Sequence, residues 1–154
     1  YAEVDTEEQL RAQLKRLLES QKMTEQEAEC IRIRDIRRFV ESGLGQRMKK
    51  AAMKKHLYRE QPFVIQRSAS MLDDGWKNET VLVQGIIDAY FMEGDEIVLV
   101  DYKTDRVKRG QEQKLIDLYH VQLEDYARAL ERMTGKRVKE KIIYSFTLQK
   151  EILL

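Results

Sequence analysis

The sequence predicts an α/β domain in which a helical N-terminal part, residues 1–56, precedes a β-β-β-α-β core over residues 57–154, with helices flanking the sheet. Three observations predict it. Apolar residues recur at helical spacing as far as residue 56 and at strand spacing after Leu57. One proline and seven glycines leave few breakers, so elements are long and loops short. A long amphipathic segment, residues 112–134, falls between strand-like segments, where a crossover helix belongs. With 154 residues there is room for one domain and a self-sufficient core.

Each element has a local cause. Thr6 followed by Gln9 is a capping-box pattern, and Leu10, Leu14, Leu17 and Leu18 form the apolar stripe of a helix over residues 6–21. Thr24 and Glu27 repeat the signal for a second helix, striped by Ile33, Ile36, Phe39 and Val40 and stopped at Gly43. Residues 44–56 form a third, with Leu44, Met48, Ala51 and Ala52 inward and Arg47, Lys49, Lys50, Lys54 and Lys55 outward. Pro62 and the run Phe63–Ile65 then begin the strands, and Asp73-Asp74-Gly75 reads as a turn. Residues 80–92 are strongly β-prone, and Gly94-Asp95 turns them into a second buried strand, Ile97–Tyr102. The long helix buries Leu115, Tyr119, Leu123, Tyr126, Leu130 and Met133 on one face and ends at Gly135. Ile142–Leu148 is the last buried strand, and Glu151–Leu154 adds an edge strand.

Composition narrows the function classes. Lys+Arg 28 against Asp+Glu 27 leaves a net charge of +1, which argues for no particular partner. Cys30 alone cannot build a disulfide scaffold, a thiolate zinc site or a cysteine-ligated iron–sulfur cluster. No apolar run is long enough to span a membrane, and no secretory signal pattern is present, so a cytoplasmic setting is expected. The chain opens on Tyr1 and reads as a piece of a longer protein.

The hairpin carries the chemistry. A loop centred on Gly94-Asp95 sets Glu93 against Glu96 and therefore Asp88 against Asp101. Opposed residues on an antiparallel pair lie about 4.5–5.5 Å apart at Cβ, where like charges repel. Two carboxylates ending two apolar strands call for a cation between them. Lys103 shares the face of Asp101, because side chains on a strand alternate. The cluster is then either a structural Asp–Lys–Asp cap or a hard-metal site with Mg²⁺ or Mn²⁺ held by carboxylates and waters. On the long helix, Gln122 interrupts the apolar stripe between Tyr119 and Tyr126. Such an amide needs partners, supplied either by nearby backbone or by the open end of the hairpin, with Tyr126 on the same helix face.

These residues carry a resemblance. Gly85-Ile86-Ile87-Asp88, then Asp101-Tyr102-Lys103-Thr104, then Gln122-x-x-x-Tyr126 resembles the core of PD-(D/E)XK nucleases in their RecB-like form. Val83–Phe91, Asp105 after the lysine, Ile143-Tyr144-Ser145-Phe146 and Glu60-x-Pro62-Phe63 are similar to the nuclease domains of AddAB-type helicase–nucleases. The resemblance implies a restriction-endonuclease-like fold with a mixed sheet, and Mg²⁺- or Mn²⁺-dependent hydrolysis of DNA phosphodiesters. It implies that Asp88, Asp101 and the carbonyl of Tyr102 bind metal, that Lys103 is catalytic, and that Gln122 and Tyr126 support the site.

The resemblance further implies partners: DNA, a helicase part of the same parent chain that uses ATP, and a second nuclease subunit of AddB type, in a bacterial cytoplasm. Glu60 is a further acidic candidate for support, and Lys108 and Arg109 follow the site strand closely enough to touch DNA. Relatives carry a Gly-Thr-x-x-His motif on a preceding helix, and neither His56 nor His120 has that context, so the chain is expected to fold but cut poorly alone. A RecB-like exonuclease of another setting, such as a CRISPR-associated one, and a non-catalytic DNA-binding or scaffolding module stay open as alternatives. Arg47–Arg59 reads as a solvated face, Trp76 as a cover for the sheet, and the methionines as core filler.

Overall fold

Why the chain changes from helix to sheet at residue 57 is visible in the computed structural model, which describes residues 6–68 and 80–154. The order is α1 (Glu7–Glu19), α2 (Glu25–Cys30), α3 (Ile33–Glu41), α4 (Gly43–Met53), β1 (Leu57–Ser68), β2 (Thr80–Glu93), β3 (Glu96–Lys103), α5 (Gln113–Thr134), β4 (Val138–Ser145) and β5 (Lys150–Leu153). The strands form one mixed sheet in sequential order, antiparallel except between β3 and β4, which run parallel across the α5 crossover. Asp73-Asp74-Gly75 and Trp76 lie outside the described residues.

Both capping boxes form: the Thr6 and Thr24 hydroxyls accept from the Gln9 and Glu27 amides, whose side chains accept in return. The second helix is two. The chain leaves helical geometry at Ile31 and Arg32, so Ile33 to Val40 belong to a separate α3. Gly43 starts α4 instead of stopping its predecessor. The Ser42 hydroxyl donates to the Phe39 carbonyl (2.7 Å) and accepts from the Gly45 amide (3.1 Å), closing one helix and opening the next. Gly135 does end α5, in the left-handed conformation at φ 69°. Met133 is exposed, correcting its place on the buried stripe. β4 begins at Val138, four residues before the apolar run that marked it, because pairing with β3 extends through Glu140 and Lys141. The residues after Ser145 turn into β5.

The sheet buries both faces. On one side α5 covers Phe63, Ile65, Ile87, Ile97, Leu99 and Ile143. On the other, Phe39 of α3 and Leu44, Met48 and Ala51 of α4 cover Ala89, Phe91, Val98, Val100 and Tyr144. β3 is therefore apolar from Ile97 to Val100, as a strand covered on both faces must be. Arg47, expected in solvent, bonds both Glu93 and Glu140 at 2.8–2.9 Å and ties α4 to the hairpin and β4. Chiefly through the Arg47 hydrogen bonds, the Glu93 carboxyl is held down to about 2.

Candidate active site

The open end of the β2–β3 hairpin gathers the polar residues. Pairing follows the two-residue turn in register from Glu93–Glu96 to Ala89–Val100 and ends there, one step short of the expected pairing of Asp88 with Asp101. Next to that step β2 also changes face. Along β2, Val83 and Ile87 pack toward α5, yet Ala89 and Phe91 pack toward α3 and α4. The β1–β2 ladder keeps its offset but skips the Glu60–Asp88 step, and Glu60 holds a left-handed φ of 51°. The irregularity frees Asp88 from ladder pairing, and its Oδ2 accepts from the Tyr102 amide at 2.9 Å.

Alternation along β3 sends Asp101 and Lys103 toward α5. Asp101 is 2% exposed, and its Oδ2 lies 2.7 Å from Nζ of Lys103. That ion pair is the only close partner of this buried oxygen among the described residues. Lys103 Nζ also donates to Oε1 of Gln122 at 3.0 Å, and Gln122 Nε2 donates to the Tyr126 hydroxyl at 2.9 Å. The amide that broke the apolar stripe of α5 is thus satisfied from both ends.

Burial and neighbouring charges bear on the same groups. Burial pushes the Asp101 carboxyl above its ordinary range; Lys103 opposes the shift, while the charges of Asp88 and Asp105 add to it. Burial also raises the Tyr126 hydroxyl, reinforced by Asp101 and Asp88. A buried carboxylate oxygen with one ion-pair partner, facing a second carboxylate, fits a hard divalent cation. The donors available are Asp88, Asp101 and the Tyr102 carbonyl, which shares a strand edge with the Tyr102 amide. Among the described residues no group of three or more His, Cys, Asp or Glu side chains assembles, so any ion here keeps much of its water.

Other candidates stand apart. Glu60 lies at the step the β1–β2 ladder skips and is exposed. Lys108 and Arg109 are exposed in the segment between β3 and α5. His56 is exposed between α4 and β1, and His120 is exposed on α5 with Nδ1 3.0 Å from the Asp117 carbonyl. Two residues near Lys103 escaped the site reading. Nζ of Lys103 sits 4.1 Å from the centroid of the Tyr119 ring, and the Tyr119 hydroxyl donates to both carboxylate oxygens of Asp105 at 3.0–3.1 Å. Their signal was positional: Tyr119 precedes Gln122 by three residues on a helix, and Asp105 follows Lys103 by two.

Comparisons with known proteins bear on the family of the chain. Residues 2–152 match the family model of the PD-(D/E)XK nuclease superfamily. An ATP-dependent helicase/nuclease subunit from Clostridium novyi is 39% identical over 99% of this chain and 12% of its own length. Proteins of the same name from Acetivibrio thermocellus and Clostridium perfringens are 44% and 37% identical over 90% and 94% of the chain. The chain spans only 11–12% of the length of these relatives. A five-stranded mixed sheet flanked by helices, with acidic residues and a lysine at the end of its central strands, and a family match across nearly the whole chain lead to one conclusion: the chain belongs to the PD-(D/E)XK nuclease superfamily.

Proposed function

We propose that this domain hydrolyses DNA phosphodiesters with Mg²⁺ or Mn²⁺, as the exonuclease module of a helicase–nuclease that processes double-strand ends for recombinational repair. The observation that carries the reading is the Asp101–Lys103 pair on one face of β3, with Asp88 bonded to the Tyr102 amide between them and Gln122 of α5 holding the lysine. Asp88, Asp101 and the Tyr102 carbonyl would hold the metal, which when bound supplies Lewis-acid stabilisation of charge at phosphorus. Lys103 orients the attacking water and offsets negative charge in the transition state. Gln122 keeps the ammonium aimed, and Tyr126 keeps Gln122 aimed. Glu60 supports the kinked strand next to Asp88, and Lys108 and Arg109 lie where DNA would approach.

Relatives named as ATP-dependent helicase/nuclease subunits support a parent chain with an ATP-driven helicase part. A second nuclease subunit of AddB type and a bacterial cytoplasmic location complete the proposal. Cleavage of linear DNA by Lys103→Ala in the full-length protein tests it. Loss of Mg²⁺-dependent cleavage with DNA unwinding and circular-dichroism melting retained is expected. A variant that cuts like the wild type, or one that fails to fold, overturns the catalytic role of Lys103 in favour of a structural cluster.

A further inference from the structure

A second charged feature lies on the other face of the sheet, at the same end. A cleft of about 740 Å³ opens between α3, the segment after β3 and the turn between β4 and β5. Four guanidinium groups line it: Arg32 at the N-cap of α3, Arg34 and Arg38 along that helix, and Arg106 from the segment after β3. The one carboxylate in the lining, Asp35, lies 3.8 Å from Nε of Arg34. Among the described residues Arg32, Arg38 and Arg106 enter no ion pair, although their neighbour Arg37 bonds Glu41 at 2.7 Å. In a chain of net charge +1, three unpaired arginines converging on one cleft are an exception to the local balance of charge. A cleft lined by one sign of charge concentrates counter-ions, and arginine is the side chain whose fork matches phosphate.

The cleft is built onto the strand that carries the proposed catalytic lysine. The Phe146 amide, in the cleft wall, donates to the Lys103 carbonyl at 2.9 Å, and the Thr147 hydroxyl donates to the Thr104 carbonyl at 3.1 Å. A polymer with one phosphate at Asp101 and Lys103 must continue over adjoining surface, and the cleft adjoins the end of the same strand. We infer that Arg32, Arg34, Arg38 and Arg106 form the track for the sugar–phosphate backbone of the nucleic-acid strand on one side of the cleavage point. The inference rests on the nuclease reading for its choice of ligand. It assigns the strand path to the α3 face, distinct from the basic residues of α4.

Binding of a fluorescent oligothymidylate to the chain in EDTA, titrated from about 50 to 200 mM salt, tests the track without cleavage. Each phosphate contact on a single strand contributes about 0.7 to the slope of log affinity against log salt. The variant Arg32→Gln/Arg38→Gln/Arg106→Gln should lower that slope by about 2 and weaken binding roughly tenfold or more at low salt. Lys50→Ala/Lys54→Ala/Lys55→Ala on α4 should leave the slope unchanged. Should the triple variant melt below the wild type, Arg38→Gln/Arg106→Gln is read in its place, with a slope change of about 1.4. An unchanged slope in the cleft variant, equal losses in both triple variants, or no wild-type binding overturns the track. Binding that obeys these rules, with no Mg²⁺-dependent cleavage by the full-length protein, would instead leave the track standing and sink the nuclease reading.

Discussion

At the residue scale, Asp101 sets the terms. Its carboxyl is raised above the ordinary range mainly because burial disfavours the charged form, and Lys103 does not fully offset that. A carboxyl raised in the folded state contributes stability below its unfolded pKa and loses it as pH rises through the folded value. At neutral pH the metal-free domain therefore carries a net penalty at this position. Asp101→Asn should melt at or above the wild type in EDTA near pH 7, and the two should converge as the medium is acidified below the carboxylate range. Adding Mn²⁺ should raise the melting temperature of the wild type alone, since a ligand stabilises only the form that binds it. Equal Mn²⁺ responses in calorimetry would remove Asp101 from the ligand set. Tyr119 acts one step further out. A cation over an aromatic face is stabilised by about 0.5–2 kcal/mol, and Asp105 anchors this ring by its hydroxyl. Tyr119→Leu should lower kcat by roughly two- to thirty-fold with KM little changed, whereas Tyr119→Phe, keeping the ring, should recover most of the loss. A change confined to KM would mean that the ring serves substrate and not the lysine.

At the element scale, close approach decides what propensity cannot. Gly45 is buried in the first turn of α4, where a Cβ would fall on the Phe39 carbonyl oxygen and within 2.8 Å of that of Val40. Helix propensity alone favours alanine over glycine by about 1 kcal/mol. Overpacking against backbone costs about 1–3 kcal/mol and has the larger claim here, because carbonyls cannot rotate aside as a side chain can. Gly45→Ala should therefore destabilise the domain in urea unfolding, and a stabilised variant would refute the tight α3–α4 corner. The same contrast explains what the sequence could reveal. The hairpin register, both capping boxes and the Gly135 stop depend on residues within a few positions of one another, and all were legible. The break at Ile31 and Arg32, the role of Ser42 and Gly43, and the pairing of Arg47 with Glu93 and Glu140 depend on contacts between distant segments. In the site, the turn sets the register as far as Ala89–Val100, which brings Asp88 and Asp101 to the same end of the hairpin. The cation–π contact of Lys103 with Tyr119 needed α5 to be docked, and no spacing within one strand or helix could supply it.

At the scale of the whole molecule, burial is uneven, and stability must be uneven with it. From Ile97 to Asp101 every residue of β3 is buried, and its neighbours β2 and β4 pack on both faces. The helices α1 and α2 bury no residue, although Leu10, Leu14 and Leu17 line an apolar groove shared with Ile33, Ile36 and Val40 of α3. Their capping boxes each contribute on the order of 1 kcal/mol, too little to hold a helix that shields no core. A domain of this length unfolds globally at roughly 10 kcal/mol, and only backbone amides under the full core share that value. Amides of β3 and β4 should therefore exchange with deuterium only through global unfolding, while those of α1 and α2 exchange through local opening several kcal/mol lower. The site lies among β2, β3 and α5, away from α1, so this opening should leave Lys103 seated against Gln122. If α1 amides prove as protected as those of β3, the apolar groove is closed more tightly than its half-buried leucines indicate, and the N-terminal helices share in global stability.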